Sequence, residues 1–359
     1  LEGIRGKISI FKLMQSMPLD NTIYQASLTF SSVCLGVTVL VAFFVLFVLW
    51  SSRSRYPSIY RRYIHIFIYF NLLDAIVYRL TYVTLIVWHN SIVFFANGLF
   101  EGPRAIGVHM VFASLPTALL CLLNLYKYAD LTKSSRLEFL STPHCIPFVA
   151  FWHGTTIAVH YGVTVMLFQT DADSVDQTAD LFSWALEKGR DVGFDHCIGT
   201  YWVTDTFITP KWKPIVGLAI FHLALPLVFI YNFILSGMIR FAQTSQRHHS
   251  GKSYKYMINP GHLLMFWIQF AITFLCIVLP RLILASLPFF YDCDGLSGSY
   301  WGQQLVSRWA MFAVPLRPIL SILAVLIIVK DIRRHLKGCF RKRSSSSGGS
   351  MISINAVVI

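Results

Sequence analysis

Seven apolar stretches, each about as long as a bilayer is thick, alternate with polar connections through most of this chain, and that alternation constrains the fold more than any motif in it. Lipid offers the backbone no hydrogen-bond partner. Every N–H and C=O must therefore be satisfied within its own segment, and a run of about 20 apolar residues crosses as a helix. The stretches cover 27–50, 64–88, 106–128, 145–168, 214–239, 263–290 and 306–329. Of 359 residues, 55% are hydrophobic and only 13% charged, against roughly 25% charged in soluble domains. The reading is an all-α membrane protein, a seven-transmembrane helix bundle spanning 27–330.

Charge gives the bundle a direction. The connection after the first span holds Arg53, Arg55, Arg61 and Arg62; Lys127, Lys133 and Arg136 follow the third; Arg240, Arg247, Lys252 and Lys255 follow the fifth; Lys330, Arg333, Arg334, Lys337, Arg341, Lys342 and Arg343 follow the seventh. The alternate connections carry acid instead, with Asp171, Asp173, Asp176, Asp180, Asp191, Asp195, Asp205, Asp292 and Asp294. Basic loops stay in the cytosol, so residues 1–26 are expected outside and the C-terminus inside. The net charge of +13 is thus a topology signal, and a nucleic-acid partner is rejected. Arg5 and Lys7 precede too short an apolar patch for a signal peptide; Met17 reads as the start, with the first span acting as its own insertion signal.

Cys197 and Cys293 fall in the connections expected outside, where an oxidising environment favours a bridge between them; two separate thiols are the alternative, since pairing cannot be read from spacing. No Asn-x-Ser/Thr sequon occurs. Internal repeats of the kind that build many transporters are also absent from the sequence.

Charged groups inside the spans are costly and face the bundle interior. Asp74 is the one acid there, and Arg79, Arg281, Arg308 and Arg317 are the arginines. Spans two and seven run antiparallel, which puts Asp74 and Arg317 at comparable depth, and a buried polar switch formed by this pair is expected. The competing arrangement has Asp74 holding a sodium ion or water cluster while Arg317 meets carbonyls near Pro315 and Pro318. Arg79, Arg281 and Arg308 then lack an acid and lie toward the outer mouth. Their guanidinium forks suit a carboxylate-bearing ligand, unless they reach the interface or the acidic loop instead.

On the third span Ser114, Thr117, Cys121, Asn124 and Tyr128 share a face by their spacing. Packing against other helices is their commonest use; Ser114 and Thr117 are the two that would also reach a ligand. Pro116, Pro226, Pro280, Pro315 and Pro318 interrupt the third, fifth, sixth and seventh spans and free carbonyls there. His153, His160 and His222 do not make a metal site, because span seven supplies no further ligand to complete a tetrahedral set. No metal and no cofactor are expected, and the His/Asp cluster of a multispanning lipid enzyme is missing.

After the last span Ile332, Leu336 and Phe340 recur beside Arg333, Arg334, Lys337 and Arg341. That pattern makes 331–343 a basic amphipathic helix for an anionic leaflet. Cys339 is an acylation candidate. Residues 344–359 read as a disordered tail whose Ser344 to Ser347 could take phosphate and recruit a kinase or arrestin-type partner.

Several stretches together resemble a G-protein-coupled receptor, most nearly the divergent nematode serpentine chemoreceptors. They are Asn71-Leu72-Leu73-Asp74, Asn97-Gly98-Leu99-Phe100, Tyr126-Lys127-Tyr128, Pro226 and Pro280, and Lys330-Asp331-Ile332-Arg333-Arg334. The resemblance implies a sensory receptor in a plasma or ciliary membrane, an outer pocket for a small chemical cue, and coupling to a heterotrimeric G protein, with Tyr126, Lys127, Tyr128, Arg240, Arg247 and Arg334 facing it. Departures are visible. Lys127 stands in place of the family arginine, Arg317-Pro318 replaces Asn-Pro, and no lysine sits mid-span seven to hold retinal. The alternative class is an ion channel or transporter, but spans one, four and five offer little polar path.

Overall fold

The computed structural model describes residues 21–51, 58–88, 91–132 apart from 97 and 101, 139–167 apart from 141 and 143, 200–202, 227–242 apart from 229, 261–283 apart from 281, 298–329 and 332–333. Among these residues the long helices are α1 (Asn21–Ser51), α2 (Ser58–Thr81), α3 (Gly102–Thr132), α4 (Cys145–Leu167), α5 (Ile230–Ala242), α6 (Gly261–Thr273) and α7 (Gly298–Ile328). Four of them, α1, α2, α3 and α7, contain segments long and apolar enough to cross a membrane. At 23 residues, α4 is roughly 35 Å long, enough to cross the hydrocarbon layer.

A small sheet caps one end of the bundle. Strands β1 (Val83–Trp88), β2 (Ser91–Ala96) and β3 (Thr200–Trp202) run antiparallel in the order β1-β2-β3. Val83 pairs with Ala96 and Trp88 with Ser91, while Ser91 also faces Trp202. Here the second span is corrected. Hydropathy carried it to residue 88, but the helix stops at Thr81 and the remaining apolar residues are a strand. The run Val-Thr-Leu-Ile-Val is rich in β-branched side chains, which lose rotamer freedom in a helix and fit a pleated surface. A hydropathy window cannot distinguish those outcomes.

The corner between α2 and β1 is tightly determined. Tyr82 has φ 38°, a left-handed conformation that is rare for a bulky residue and costs of order 1–3 kcal/mol. Its N–H still donates to the Tyr78 carbonyl at 2.6 Å, and the ring is fully buried. Gly98 lies against the end of the same helix, where a Cβ would collide with the Leu80 oxygen. That oxygen accepts the Phe100 N–H at 3.0 Å. Only a glycine lets the two backbones approach this closely.

The third helix is the axis of the bundle: 83% of the apolar window of α3 is buried, against 33% for α1. It packs chiefly on α2 and α4; α7 packs on α1, α2, α6 and the strand β1. In α6 the hydrogen bonding loosens into a π-helical turn over Phe274–Val278 just before Pro280, and Cys276 and Ile277 from that turn pack on Ala313 of α7. The main apolar core lies away from the sheet. It joins Val45 and Val48 of α1, Ile64 and Ile68 of α2, Leu119 and Leu123 of α3, Phe266 of α6, and Ile322 and Val325 of α7.

Candidate functional site

Between that core and the sheet, α2, α3 and α7 turn polar side chains toward one another. On α2, Asn71, Asp74 and Tyr78 are spaced to share one face, and all three are buried. Opposite them, Arg317 of α7 is 1% exposed. Its Nη2 donates to Asp74 Oδ2 at 2.5 Å, and its Nη1 donates to the Ala113 carbonyl of α3 at 2.6 Å. Pro116 lacks an N–H and so denies the Phe112 carbonyl its helical donor; the Ala113 carbonyl has a second lone pair with which to accept the guanidinium. One guanidinium thus grips two other helices, in a setting where an unpaired charge would be heavily penalised.

Nearer the sheet the layer becomes aromatic. Tyr78 lies 5.4 Å from His109 of α3 and 6.0 Å from Tyr82 between ring centroids. The Tyr82 hydroxyl makes a short hydrogen bond to Ser27 Oγ, which brings α1 into the same cluster. Phe30 of α1 meets Phe312 of α7 edge-on at 5.3 Å. Polar ties continue outside this layer. Asn124 of α3 donates to Asn232 Oδ1 of α5 at 2.8 Å, and Asn232 Nδ2 reaches Cys121 Sγ at 2.9 Å. Gln269 of α6 donates to the Ser321 carbonyl of α7 at 2.7 Å, and Trp152 Nε1 of α4 to the Ala118 carbonyl at 3.1 Å. Such bonds, rather than a hydrophobic force, hold helices together in lipid.

A seven-helix layout with a central third helix and a charged contact between the second and seventh spans is now in place. The model of the family described as Serpentine type 7TM GPCR chemoreceptor Str matches residues 27–337. The chain belongs to this family. It is therefore a multi-pass membrane protein of the seven-transmembrane chemoreceptor type. No curated protein matches it.

The serpentine receptor treats the residues expected at its site unevenly. Asp74 and Arg317 are brought together. Ser114 is half-buried on α3 with its hydroxyl bonded to the Val111 carbonyl at 2.7 Å, and Thr117 is buried one turn below. Arg79 Nε donates to Ser32 Oγ of α1 at 2.9 Å; five residues beyond Asp74, it sits roughly 140° around the helix from that residue. Arg281 lies outside the described residues, and Arg308 is in α7 with a side chain outside them. So are Arg247, Arg334, Cys197, Cys293 and Cys339.

At the end away from the sheet, Tyr126 is buried and stacks at 5.8 Å on Tyr63. It supports the α2–α3 contact. Lys127 Nζ lies 5.6 Å from the centroid of that same Tyr126 ring. Tyr128 packs with Leu235 and Ile239 of α5, and Arg240 is exposed. The histidines of α4 go separate ways. His153 meets Phe70 edge-on at 5.4 Å, and His160 Nδ1 is 2.8 Å from its own helix at the Thr156 carbonyl. Sequence reasoning missed Asn71, Tyr78, Tyr82 and His109. The first two carried a signal, since both sit at helical spacing from Asp74 on its own face; His109 and Tyr82 enter only through packing.

Proposed function

We propose that this chemoreceptor binds a small chemical cue at the sheet end of the bundle and signals to a heterotrimeric G protein at the opposite end. The observation that carries the reading is the double grip of Arg317 on Asp74 and on the Ala113 carbonyl. Relative motion of α2, α3 or α7 must break or reform a charged contact, so the contact separates two arrangements of the bundle. A ligand that engages the layer of Tyr78, His109, Ser114 and Thr117 shifts the balance between them by its unequal affinity for the two.

Positive connections orient the far end toward the cytosol. There Lys127, Tyr128, Arg240, Arg247 and Arg334 border the G-protein face, with Tyr126 behind them. The receptor acts in the plasma membrane, in the ciliary membrane of a sensory neuron. Its amphipathic segment with Cys339 rests on lipid, the Ser344 to Ser347 tail receives a kinase or arrestin-type partner, and Cys197 bridges Cys293. The reading is of a signalling protein without catalytic residues or cofactor. Anionic cues are favoured by Arg281 and Arg308.

Ligand-dependent nucleotide exchange on a G protein, measured with the reconstituted full chain against a panel of acidic and neutral volatiles, tests the signalling. Exchange driven by any of them supports the receptor, and ion current without a G protein would replace it with a channel. Equal responses to acids and neutral compounds in wild type, Arg281→Ala and Arg308→Ala would end the anionic preference.

A further inference from the structure

Arg79 lies in the seam between α1 and α2, near the sheet end of the bundle. It is half-buried, and its Nε donates to Ser32 Oγ at 2.9 Å. The Ser32 hydroxyl donates in turn to the Leu28 carbonyl at 3.0 Å. With its hydrogen committed there, the serine oxygen turns a lone pair to the arginine and holds the guanidinium in place. Among the described residues no carboxylate is paired with Arg79, and its Nη groups have no hydrogen-bond partner.

The depth of this group follows from the other end of α1. Trp50, in the last turn, is 80% exposed, and exposed tryptophans mark a membrane boundary. At 1.5 Å per residue, Ser32 is roughly 27 Å from Trp50, close to the hydrocarbon thickness of about 30 Å. Ser32 and Arg79 therefore sit at the opposite boundary, level with lipid headgroups. Between the two boundaries the outward surface is apolar, with Val33, Leu40 and Phe43 of α1 and Leu73 of α2 exposed. Gly36 stands one turn below Ser32 on nearly the same side of α1, and a Cβ there would meet nothing within 4 Å. Bare backbone thus lies directly beneath the held guanidinium.

We propose that Arg79, held by Ser32, binds the phosphodiester of an anionic membrane phospholipid, with an acyl chain lying over Gly36. Once Nε–H is taken by Ser32, the remaining edge of the guanidinium presents two parallel N–H donors, which match two phosphate oxygens. A headgroup with net negative charge supplies the counter-charge that no described carboxylate gives. A small acidic cue would meet the guanidinium but leave the apolar surface below it uncovered, whereas a lipid satisfies both. The lipid braces α1, whose apolar window is only 33% buried by protein, against α2.

The test uses neither cue nor G protein. The full chain is reconstituted in phosphatidylcholine nanodiscs doped with phosphatidylglycerol that carries a diazirine near its headgroup, and labelled segments are identified by mass spectrometry. Segment 28–36 is expected to be labelled, and unlabelled phosphatidylglycerol to compete the label away; diacylglycerol with the same chains and inorganic phosphate should not. Arg79→Gln is expected to lower this labelling about tenfold, the worth of one charge-assisted hydrogen bond. Labelling of segment 58–66, where Arg61 and Arg62 attract the same lipid at the other boundary, should not change. Gly36→Leu keeps the guanidinium, improves helix propensity and fills the place of the acyl chain; a several-fold loss of labelling is expected, and this variant decides if Arg79→Gln does not fold. Labelling of 28–36 that survives the substitutions, or that diacylglycerol competes equally, overturns the site. Competition by inorganic phosphate alone shows a free-anion site and overturns the lipid.

Discussion

Away from the sheet, α1, α2, α3, α6 and α7 meet through Val45, Ile68, Leu119, Phe266 and Ile322. Toward the sheet, α2, α3 and α7 meet again, through Asp74, Tyr78, His109 and Arg317. The same rods are thus joined by dispersion in one half and by directed polar contacts in the other. Dispersion between interlocking aliphatic side chains is spread over many contacts of about 0.1–0.2 kcal/mol each, with no single pair deciding the geometry. A buried charge contact is intact or broken. Helix crossings in the polar half therefore have discrete alternatives, and in the proposed reading a small molecule bound beneath the sheet selects one.

That contrast can be attacked directly. Arg317→Ala leaves the Asp74 carboxylate buried and alone, and Asp74→Ala strands the guanidinium; each is expected to cost about 3–5 kcal/mol. The loss is read as a lowered melting midpoint of the purified receptor, followed by a maleimide dye on the buried thiols of Cys34, Cys121 and Cys276. The paired change Asp74→Leu with Arg317→Met is expected to recover most of the stability and none of the ligand-driven exchange. Recovery of both would show that the contact is only structural.

Phe266→Ala in the apolar half is expected to cost about 3–5 kcal/mol through the cavity it leaves, at the upper end equal to the charge deletions. It differs in kind: exchange per folded receptor at the surface should stay near wild type. A response lost in proportion to that of Arg317→Ala would erase the distinction between the halves. Gly98→Ala forces a methyl onto the Leu80 carbonyl, and strain of about 1–3 kcal/mol is expected. Placed at the sheet, it should alter ligand response more than its stability cost alone explains. The smallest effect belongs to Asn232→Ala, which removes the α3–α5 tie for about 0.6 kcal/mol; a double-mutant cycle with Asn124→Ala measures it.

Much of the bundle was legible in the chain. The first, third, fourth and seventh spans follow from hydropathy because lipid penalises any unpaired backbone, and their helices contain or nearly match the expected ranges. The error at the second span has a readable cause in hindsight. Two six-residue apolar runs, Val83–Trp88 and Ser91–Ala96, flank His89-Asn90 with β-branched residues, a hairpin pattern hidden inside a hydropathy peak. Depth, which the sequence gives for Arg79, leaves open the angle that turns its side chain toward Ser32.

What the sequence determined by itself was the number of crossings, their expected direction and the depth of each buried charge. These follow from one-dimensional rules: apolar length sets a span, basic connections set its sense, and rise per residue sets depth. Only the tertiary structure decided which polar groups meet. The azimuth of each helix and the left-handed turn at Tyr82 depend on how neighbouring helices pack, and the azimuths brought Arg317 onto Asp74 and Ala113 while turning Arg79 toward Ser32.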